Sequence, residues 1–399
     1  MLADRTVVLG ITGGIAAYKA ADLASKLTQA GARVETILTE SAQEFIGAVT
    51  LRALTGRPVV TGMFDLSSPF SVGHIALADA ADVLVIAPAT ANTIARIAAG
   101  IADDMLSCTV LATKAPVVIA PAMHHNMWEN PATQENIARL KARGFTIVGP
   151  GYGRLASGSI GWGRLIDNET ILGTVSQVLG RKGDLAGRTV VVTAGGTQEP
   201  IDPVRVITNR SSGKMGYAVV EAARDRGADV KLITTPVAIS APVGVEVIKV
   251  GTALQMKEAV EKAMAGADAL VMAAAVADYM PKTSATQKIK KEKSDIMTLE
   301  LVKTPDIISE VSGSFFKIGF AAESEDLLGN ARGKLVRKHL DLIVANDITR
   351  SDSGFGTDTN KVTILGPGDR MDDLPLMTKR QVADKILDRV VELIKGKER

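Results

Sequence analysis

Short apolar runs of β-prone residues punctuate the chain, and two of them open its two halves in the same way. Thr6 to Thr12 (TVVLGIT) predicts a buried strand, Gly13-Gly14 its turn, and Ile15 to Ala30 an alanine-rich helix stopped by Gly31. Arg33 to Thr39 predicts a second strand, completing a β-turn-α-β unit. In the second half, Thr189 to Thr193 (TVVVT) predicts a strand and Gly195-Gly196 a turn that bares backbone N–H groups. A polar loop stiffened by Pro200 and Pro203 leads from there to a helix over Lys214 to Arg226. Further strands are predicted at Val83–Ala87, Val117–Pro121, Val230–Thr234, Val245–Val250 and Ala269–Ala273, with helices at Glu169–Leu179 and Ala253–Met264. Strands alternating with helices make this an α/β protein of two doubly wound, Rossmann-like domains. The glycine-flanked polar stretch from Gly180 to Asp184 places the hinge at residues 181–187, between a first domain at 1–182 and a second at 187–399.

In open α/β sheets ligands sit beyond the carboxyl ends of the strands, which directs attention to the loops there. In the first half these are APATANTIA (Ala87 to Ala95) and PAMHHNMW (Pro121 to Trp128); for Thr90 and Asn92, plain helix capping is the other reading. The spacing Gly10-x-x-Gly13-Gly14 departs from the dinucleotide fingerprint, and the second strand runs into Thr39-Glu40-Ser41. Hydroxyls there suit a phosphate better than an acid suits a ribose, so a mononucleotide such as FMN is favoured over NAD. In the second half, Ser211, Ser212, Gly213 and Lys214 crowd a helix start, where unpaired N–H groups and the helix dipole both favour anions. With Arg205, Asn209 and Arg210 in the loop before it, this suits a nucleotide triphosphate on one side and a phosphorylated acid on the other. Asp278 is either a Mg²⁺ or ribose contact or a loop cap. Lys334 and Lys338 stand four apart, on one helical face. The stretch Lys282 to Lys293, five lysines against one glutamate, reads by pattern as solvated surface. Arg380 to Lys395 reads as a packing helix, and Cys108 as buried helix core.

Composition narrows the classes. A net charge of +2 calls for no polyanionic partner, and 4% aromatic content argues against carbohydrate clefts and nucleic-acid stacking platforms. One cysteine excludes an intrachain disulfide and fits a reducing compartment. Asp4 and Arg5 interrupt any signal-peptide core, and the apolar runs are too short to span a bilayer, so a cytoplasmic protein without a membrane partner is expected. The four histidines show no zinc spacing, and the adjacent His124 and His125 are not expected to face one ion. His74 is a lone loop histidine, polar surface by default.

Two resemblances cover nearly the whole chain. TAGGTQEPIDPVR followed by NRSSGKMG, together with KIKK, KTPDII, KIGFAAES and VAND, resembles the phosphopantothenate–cysteine ligases of coenzyme A synthesis. GITGGIAAYKA, TESA, SVGHIALA, APATANTIA, the PAM-x-x-x-MW loop and the segment ending in GWGR resemble the FMN-dependent phosphopantothenoylcysteine decarboxylases. The resemblance implies a bifunctional enzyme that uses CTP and Mg²⁺ to join cysteine to 4′-phosphopantothenate, then FMN to decarboxylate the product. It implies Gly13, Gly14, Ser41, Thr90 and Asn92 at the flavin, His74 as acid/base group, and His124 and Asn126 at the substrate. For the ligase it implies Asn209 and Arg205 at the acyl intermediate, and Ser212, Gly213 and Lys214 at the substrate. CTP is implied to meet Gly195, Ala275, Asp278, Lys288, Pro305, Asp306, Ile307, Ile308, Phe320, Lys334 and Lys338, with Asp278 also on Mg²⁺. Flavin-domain trimers and ligase-domain dimers are implied as well. Two positions depart from the pattern: His124 stands where the family has Asn, and Ser157 where its mobile clamp often has the cysteine that protonates the enethiol, so Ser157 or a water it positions is expected to relay that proton. An FMN-dependent prenyltransferase-like enzyme fused to a nucleotide-binding domain, or a non-enzymatic flavin-binding regulator, are the competing readings; the first leaves SSGKMG unexplained.

Overall fold

The computed structural model describes residues 2–63, 73–290, 296–323, 325–347, 354, 356–368 and 370–397, the side chain of residue 347 excepted. Ser71, Val72, Lys291, Lys293 and Ser324 of the motifs above lie outside the described residues. The chain divides into two compact units, Met1–Gly180 and Arg181–Arg399.

In the first unit, strands β1 (Thr6–Ile11), β2 (Arg33–Leu38), β3 (Val59–Val60), β4 (Val83–Ala89), β5 (Val117–Pro121) and β6 (Thr146–Ile147) form a parallel sheet ordered β3-β2-β1-β4-β5-β6. An antiparallel hairpin, β7 (Gly151–Arg154) with β8 (Ile160–Arg164), follows it. The helices are α1 (Lys19–Gln29), α2 (Ala48–Thr55), α3 (Gly73–Ala80), α4 (Ala91–Ala99), α5 (Met105–Ala112), α6 (His125–Glu129), α7 (Pro131–Ala142) and α8 (Asn168–Gly180). Strand alternation decides the faces: Val7, Leu9 and Ile11 pack into one apolar cluster with α1 and α8, while Val8 points into the other with α4 and α5. The first predicted helix is broken at its start, because Ile15–Tyr18 is a 3₁₀ turn before α1 begins. Its Gly14 N-cap has no side chain to accept the first-turn N–H groups.

The second unit holds β9 (Thr189–Ala194), β10 (Gln198–Pro200), β11 (Val206–Thr208), β12 (Asp229–Thr234), β13 (Glu246–Lys249), β14 (Ala269–Met272), β15 (Tyr279–Pro281), β16 (Leu301–Lys303), β17 (Phe316–Glu323), β18 (Leu342–Asp347), β19 (Thr359–Asn360), β20 (Val362–Leu365), β21 (Met371–Asp373) and β22 (Met377–Thr378). Its main sheet runs β13-β12-β9-β14-β17-β18-β20-β21, parallel up to β18 and antiparallel beyond. The helices are α9 (Lys214–Asp225), α10 (Ala253–Ala263), α11 (Ile307–Glu310), α12 (Leu327–Arg337) and α13 (Lys379–Lys397). Val190, Val192 and Ala194 face α9 and α13, and Val191 faces α10 and α12. The polar loop after β9 carries a hairpin, β10 with β11, that a helix-or-strand period could not reveal in three-residue strands.

In both sheets the strand order reverses beside the first strand of the unit: β1 lies between β2 and β4, and β9 between β12 and β14. Such switch points open a crevice at the strands' carboxyl ends.

Candidate active sites

At the switch point of the second unit lies a cavity of about 1010 Å³. Two loops are tied together at its floor. Gly196 bridges to Ala275, Ala275 N donates to Gly195 O at 2.8 Å, and Ala277 N donates to Thr197 Oγ1 at 2.9 Å. Gly195 sits at φ +86°, and a Cβ there would fall 2.1 Å from Thr235 Oγ1, so only glycine fits. Next comes the start of α9, whose N-cap Gly213 is left-handed at φ +75° and brings no side-chain acceptor. Lys214 N donates to Ser212 Oγ at 3.4 Å, and the next N–H groups of α9's first turn start at the wall that Ser212, Gly213 and Lys214 line.

Asn209 lines the same wall, held by a 3.0 Å bond from its Nδ2 to Val276 O. So do Ala275 and Asp278 after β14, the run Pro305 to Ile308 at α11, and Phe320 on β17. Lys334 and Lys338 reach the cavity from the end of α12. Lys334 Nζ is 2.5 Å from Glu323 Oε1, and Lys338 Nζ is 3.0 Å from Asp306 Oδ2.

Three residues assigned to this site from sequence stand off its wall. Gly195 supports the wall from behind without lining it. Arg205 is engaged elsewhere: Nε and Nη2 hold Asp202 Oδ2 at 3.0 and 2.5 Å, and Nη2 also donates to Ile289 O at 3.1 Å. Lys288 is exposed, because its neighbour Ile289 is pinned at both ends, its N–H donating to Asp202 Oδ2 at 3.1 Å. Asp202, its side chain fully buried, collects these donors. The Arg205 guanidinium, aided by the backbone N–H groups of Val204, Ile289 and Arg205, holds its carboxyl well below the usual carboxylate range. The lysine of the anion seat is also engaged: Lys214 Nζ donates to Gly356 O at 2.8 Å and to Asp358 Oδ1 at 2.6 Å.

A further cavity residue was not foreseen. The C-terminal helix begins at Lys379, and that buried side chain lines the cavity instead of only packing. Its Nζ donates to Gly354 O at 3.0 Å and Thr357 O at 2.5 Å. Burial, and then repulsion from Lys214, push its pKa down. The only sequence signal was a lysine at the head of an apolar-periodic helix.

In the first unit, Thr12, Gly13, Gly14, Ser41 and Thr90 meet at the switch point. A Cβ on Gly13 would lie 2.3 Å from Ser41 Oγ, and one on Gly14 would lie 3.8 Å from Thr90 Cγ2. Thr12 Oγ1 donates to Pro88 O at 2.7 Å and accepts from Thr90 N at 3.0 Å, which joins the ends of β1 and β4. Thr90 Oγ1 caps α4 by accepting from Thr93 N, and Asn92 is exposed on that helix. Small residues, bare backbone and hydroxyls make a cradle that fits a flavin mononucleotide's phosphate tail. His74 is half-buried as the second residue of α3, so it belongs to a helix rather than a loop. Cys108 is also half-buried, not core: Sγ donates to Ala102 O at 3.3 Å, and desolvation, followed by the Asp104 and Asp103 carboxylates, pushes its thiol up.

The β7–β8 hairpin lies against the 121–128 loop, with Met123 N donating to Gly163 O at 2.9 Å. Four side chains cluster there. Ser157 Oγ is 2.7 Å from Ser159 Oγ, and Ser159 Oγ is 3.4 Å from both His124 Nε2 and His125 Nδ1. The imidazole centroids stand 4.1 Å apart, and a ring nitrogen of each lies near Ser159 Oγ. Asn126 enters through its backbone, its N–H donating to His124 Nδ1 at 3.3 Å while its side chain is exposed.

Two family models match: "Flavoprotein" over residues 1–180, and "DNA/pantothenate metabolism flavoprotein C-terminal domain" over 185–394. A coenzyme A biosynthesis bifunctional protein CoaBC of Vibrio parahaemolyticus is 45% identical over 398 residues, 98% of this chain and 99% of that one. The protein so named in Bacillus subtilis is 46% identical over 99% of this chain and 98% of its own. The Escherichia coli K12 protein is 42% identical over 98% and 97%. The chain belongs to the CoaBC family of coenzyme A biosynthesis bifunctional proteins. It is a two-unit flavoprotein enzyme with a decarboxylase and a ligase activity, which sets aside the regulator and prenyltransferase-like readings. Among the described residues no helix is long and apolar enough to cross a membrane, and no group of three or more His, Cys, Asp or Glu is arranged to hold a metal.

Proposed function

We propose that the second unit joins cysteine to 4′-phosphopantothenate at the expense of CTP, and that the first decarboxylates the product to 4′-phosphopantetheine. The observation that carries the ligase reading is the single cavity wall on which Asn209, the open start of α9 and the two α12 lysines come together. In the first step the substrate carboxylate attacks the α-phosphorus of CTP, an acyl–O–P bond forms, and the bond to pyrophosphate breaks. Lys334 and Lys338 would neutralise charge growing on the departing pyrophosphate. Each now holds a carboxylate, Glu323 or Asp306, which the triphosphate would displace. Asp278 on the wall would offer one carboxylate to a Mg²⁺ ion, which would neutralise phosphate charge there. In the second step the cysteine amine attacks the acyl carbon, an amide forms and CMP leaves. Asn209 would hold the acyl group, and Ser212, Gly213 and Lys214 the substrate. Arg205 acts at one remove, anchoring the segment that bears Lys288.

In the first unit, Gly13, Gly14, Ser41, Thr90 and Asn92 would hold FMN. When bound, the flavin supplies reversible hydride acceptance at the thiol-bearing carbon. His74 is the acid/base group, Asn126 meets the substrate with His124 beside it as the cap of α6, and Ser157 occupies the clamp. Assembly through first-unit trimers and second-unit dimers belongs to the same proposal, and analytical ultracentrifugation of the full chain and of each unit tests it.

The reaction itself is tested by incubating the full chain with 4′-phosphopantothenate, cysteine, CTP and Mg²⁺ and weighing the products. Sustained pyrophosphate release that requires cysteine, with a product lighter by one carbon dioxide, is expected. CTP left intact in the complete mixture would refute the proposal.

A further inference from the structure

A clamp serine poses a chemical difficulty, because a hydroxyl is a far weaker acid than a thiol, whose ordinary pKa is about 8.5. We propose that His125 supplies the proton for the decarboxylase's last protonation, relayed through Ser159 to Ser157, with His124 as the group that positions the relay. The inference rests on the decarboxylase reading above.

The hydrogen-bond geometry gives the relay a direction. His124 is the N-cap of α6, and its Nδ1 accepts the Asn126 N–H at 3.3 Å, so the neutral ring carries its proton on Nε2. That Nε2–H points at Ser159 Oγ, 3.4 Å away, and occupies one of its lone pairs. His125 approaches the same oxygen through Nδ1, also at 3.4 Å, and as an imidazolium it donates to the second lone pair. In the relay both lone pairs are taken, and Ser159 gives its own hydrogen to Ser157 Oγ at 2.7 Å. Ser157 is exposed at the tip of the hairpin, so its own hydrogen is left to face a ligand.

The step balances. The C=C π pair of the enethiolate forms a C–H bond at the carbon that lost carbon dioxide, taking the proton of Ser157 while the sulfur lone pair closes C=S. Ser157 is refilled from Ser159, and Ser159 from His125 Nδ1–H, leaving His125 neutral with its proton on Nε2. No oxidant or reductant enters this step. An imidazolium is a far better proton source than a hydroxyl. His124 cannot be the source without losing its cap: as an imidazolium its Nδ1 would carry a proton against the Asn126 N–H.

The test uses the full chain carrying its flavin and 4′-phosphopantothenoylcysteine, with carbon dioxide and both possible products measured by mass. Ser159→Ala and His125→Gln should still release carbon dioxide but accumulate the oxidised enethiol, with its protonation slowed about 100-fold, the scale of one general acid. Adding Ser157→Cys to His125→Gln should restore the reduced product, since a thiol brings its own proton. Long-range ¹H–¹⁵N spectra of the substrate-free protein provide a readout independent of turnover. His124 should show the Nε2–H tautomer, and Ser159→Ala should shift the resonances of both rings. Wild-type-like product ratios in His125→Gln, failure of the cysteine to rescue, or an Nδ1–H tautomer at His124 would each overturn the relay. No carbon dioxide from the wild type would instead defeat the decarboxylase reading.

Discussion

Replacing Gly195 by alanine isolates the backbone turn that shapes the second unit's crevice. Two costs can be read from the structure. A residue with a Cβ at φ +86° pays about 1–2 kcal/mol for the left-handed conformation. The added methyl carbon would also lie 2.1 Å from Thr235 Oγ1 and 3.1 Å from Val237 Cγ1, and crowding of that kind costs about 1–3 kcal/mol in a packed interior. Thr235 is buried beside the end of β9, its N–H donating to Ala194 O, so it has little room to yield. The sum is about 2–5 kcal/mol. With a urea m-value near 2 kcal/mol/M, the second unit's unfolding midpoint should fall by about 1–2.5 M. Both tryptophans, Trp128 and Trp162, lie in the first unit, so their emission reports that unit alone while far-ultraviolet circular dichroism reports both. The dichroism transition of the second unit should move and the tryptophan transition stay. Thr235→Ala added to Gly195→Ala should recover the crowding part and leave the conformational part. A second-unit midpoint that shifts by less than about 0.3 M, or a double variant no better than the single, would refute the steric account.

Lys338→Met should lower steady-state ligase kcat by about tenfold or more while changing stability by under about 1 kcal/mol, since its partner Asp306 is half exposed; pyrophosphate release and urea melts check both. Asp202 titrates in the folded chain below its unfolded value of about 3.9, so its contribution is complete above that pH and is lost only as pH falls from there toward the folded value. Protection of the Ile289 amide relative to its intrinsic exchange rate should therefore hold down to about pH 4 and fall below it. Asp202→Asn should show the lowered protection already at pH 7, and a pH-independent profile in the wild type would count against the pinning. Arg226→Ala frees Asp184 and Asp388 together and detaches the start of the unit from α13, so a loss of about 1–3 kcal/mol is expected, less than for a fully buried pair because both carboxylates are partly exposed. Denaturant melts of the second unit measure it.

What the sequence could reveal was local. β-prone runs, double glycines and helix stops depend on neighbours in the chain, and apart from the late start of α1 those elements lie within a residue or two of where the pattern puts them. The α/β class followed, and the carboxyl-end loops did hold most of the candidate residues. Occupancy was not legible. Nothing in RSSGKMG says that Lys214 spends its charge on Asp358, or in DPVR that Arg205 turns back to Asp202, because such choices depend on segments 144 residues away or on which side chain is buried. Lys379 was missed for the same reason: it reaches the cavity only because α13 packs on α9. Spacing could set zinc aside for His124 and His125, but not show that the hairpin folds back to bring Ser159 within 3.4 Å of both rings.

The two units, unlike in sequence, solve the same packing problem. In each, the first strand runs into a glycine, and in each a hydroxyl at the end of the neighbouring strand occupies the space a Cβ would fill. After β1 it is Ser41, 2.3 Å from the absent Cβ of Gly13; after β9 it is Thr235, 2.1 Å from that of Gly195. A side chain at either glycine would have to displace the hydroxyl residue and the turn with it. The constraint is therefore steric and lies behind the binding surface, which explains how Gly195 can be indispensable to a cavity it does not line. It also separates two kinds of glycine in these turns. Gly14 has only Thr90 Cγ2 near its absent Cβ, at 3.8 Å, so an alanine there meets ordinary van der Waals contact and would intrude on the ligand side. Gly14→Ala should accordingly weaken flavin retention with little change in the first unit's tryptophan melt, whereas Gly13→Ala should lower both. Equal melts for the two variants would show that the crowding behind Gly13 is relieved by a movement of Ser41 and does not shape the turn.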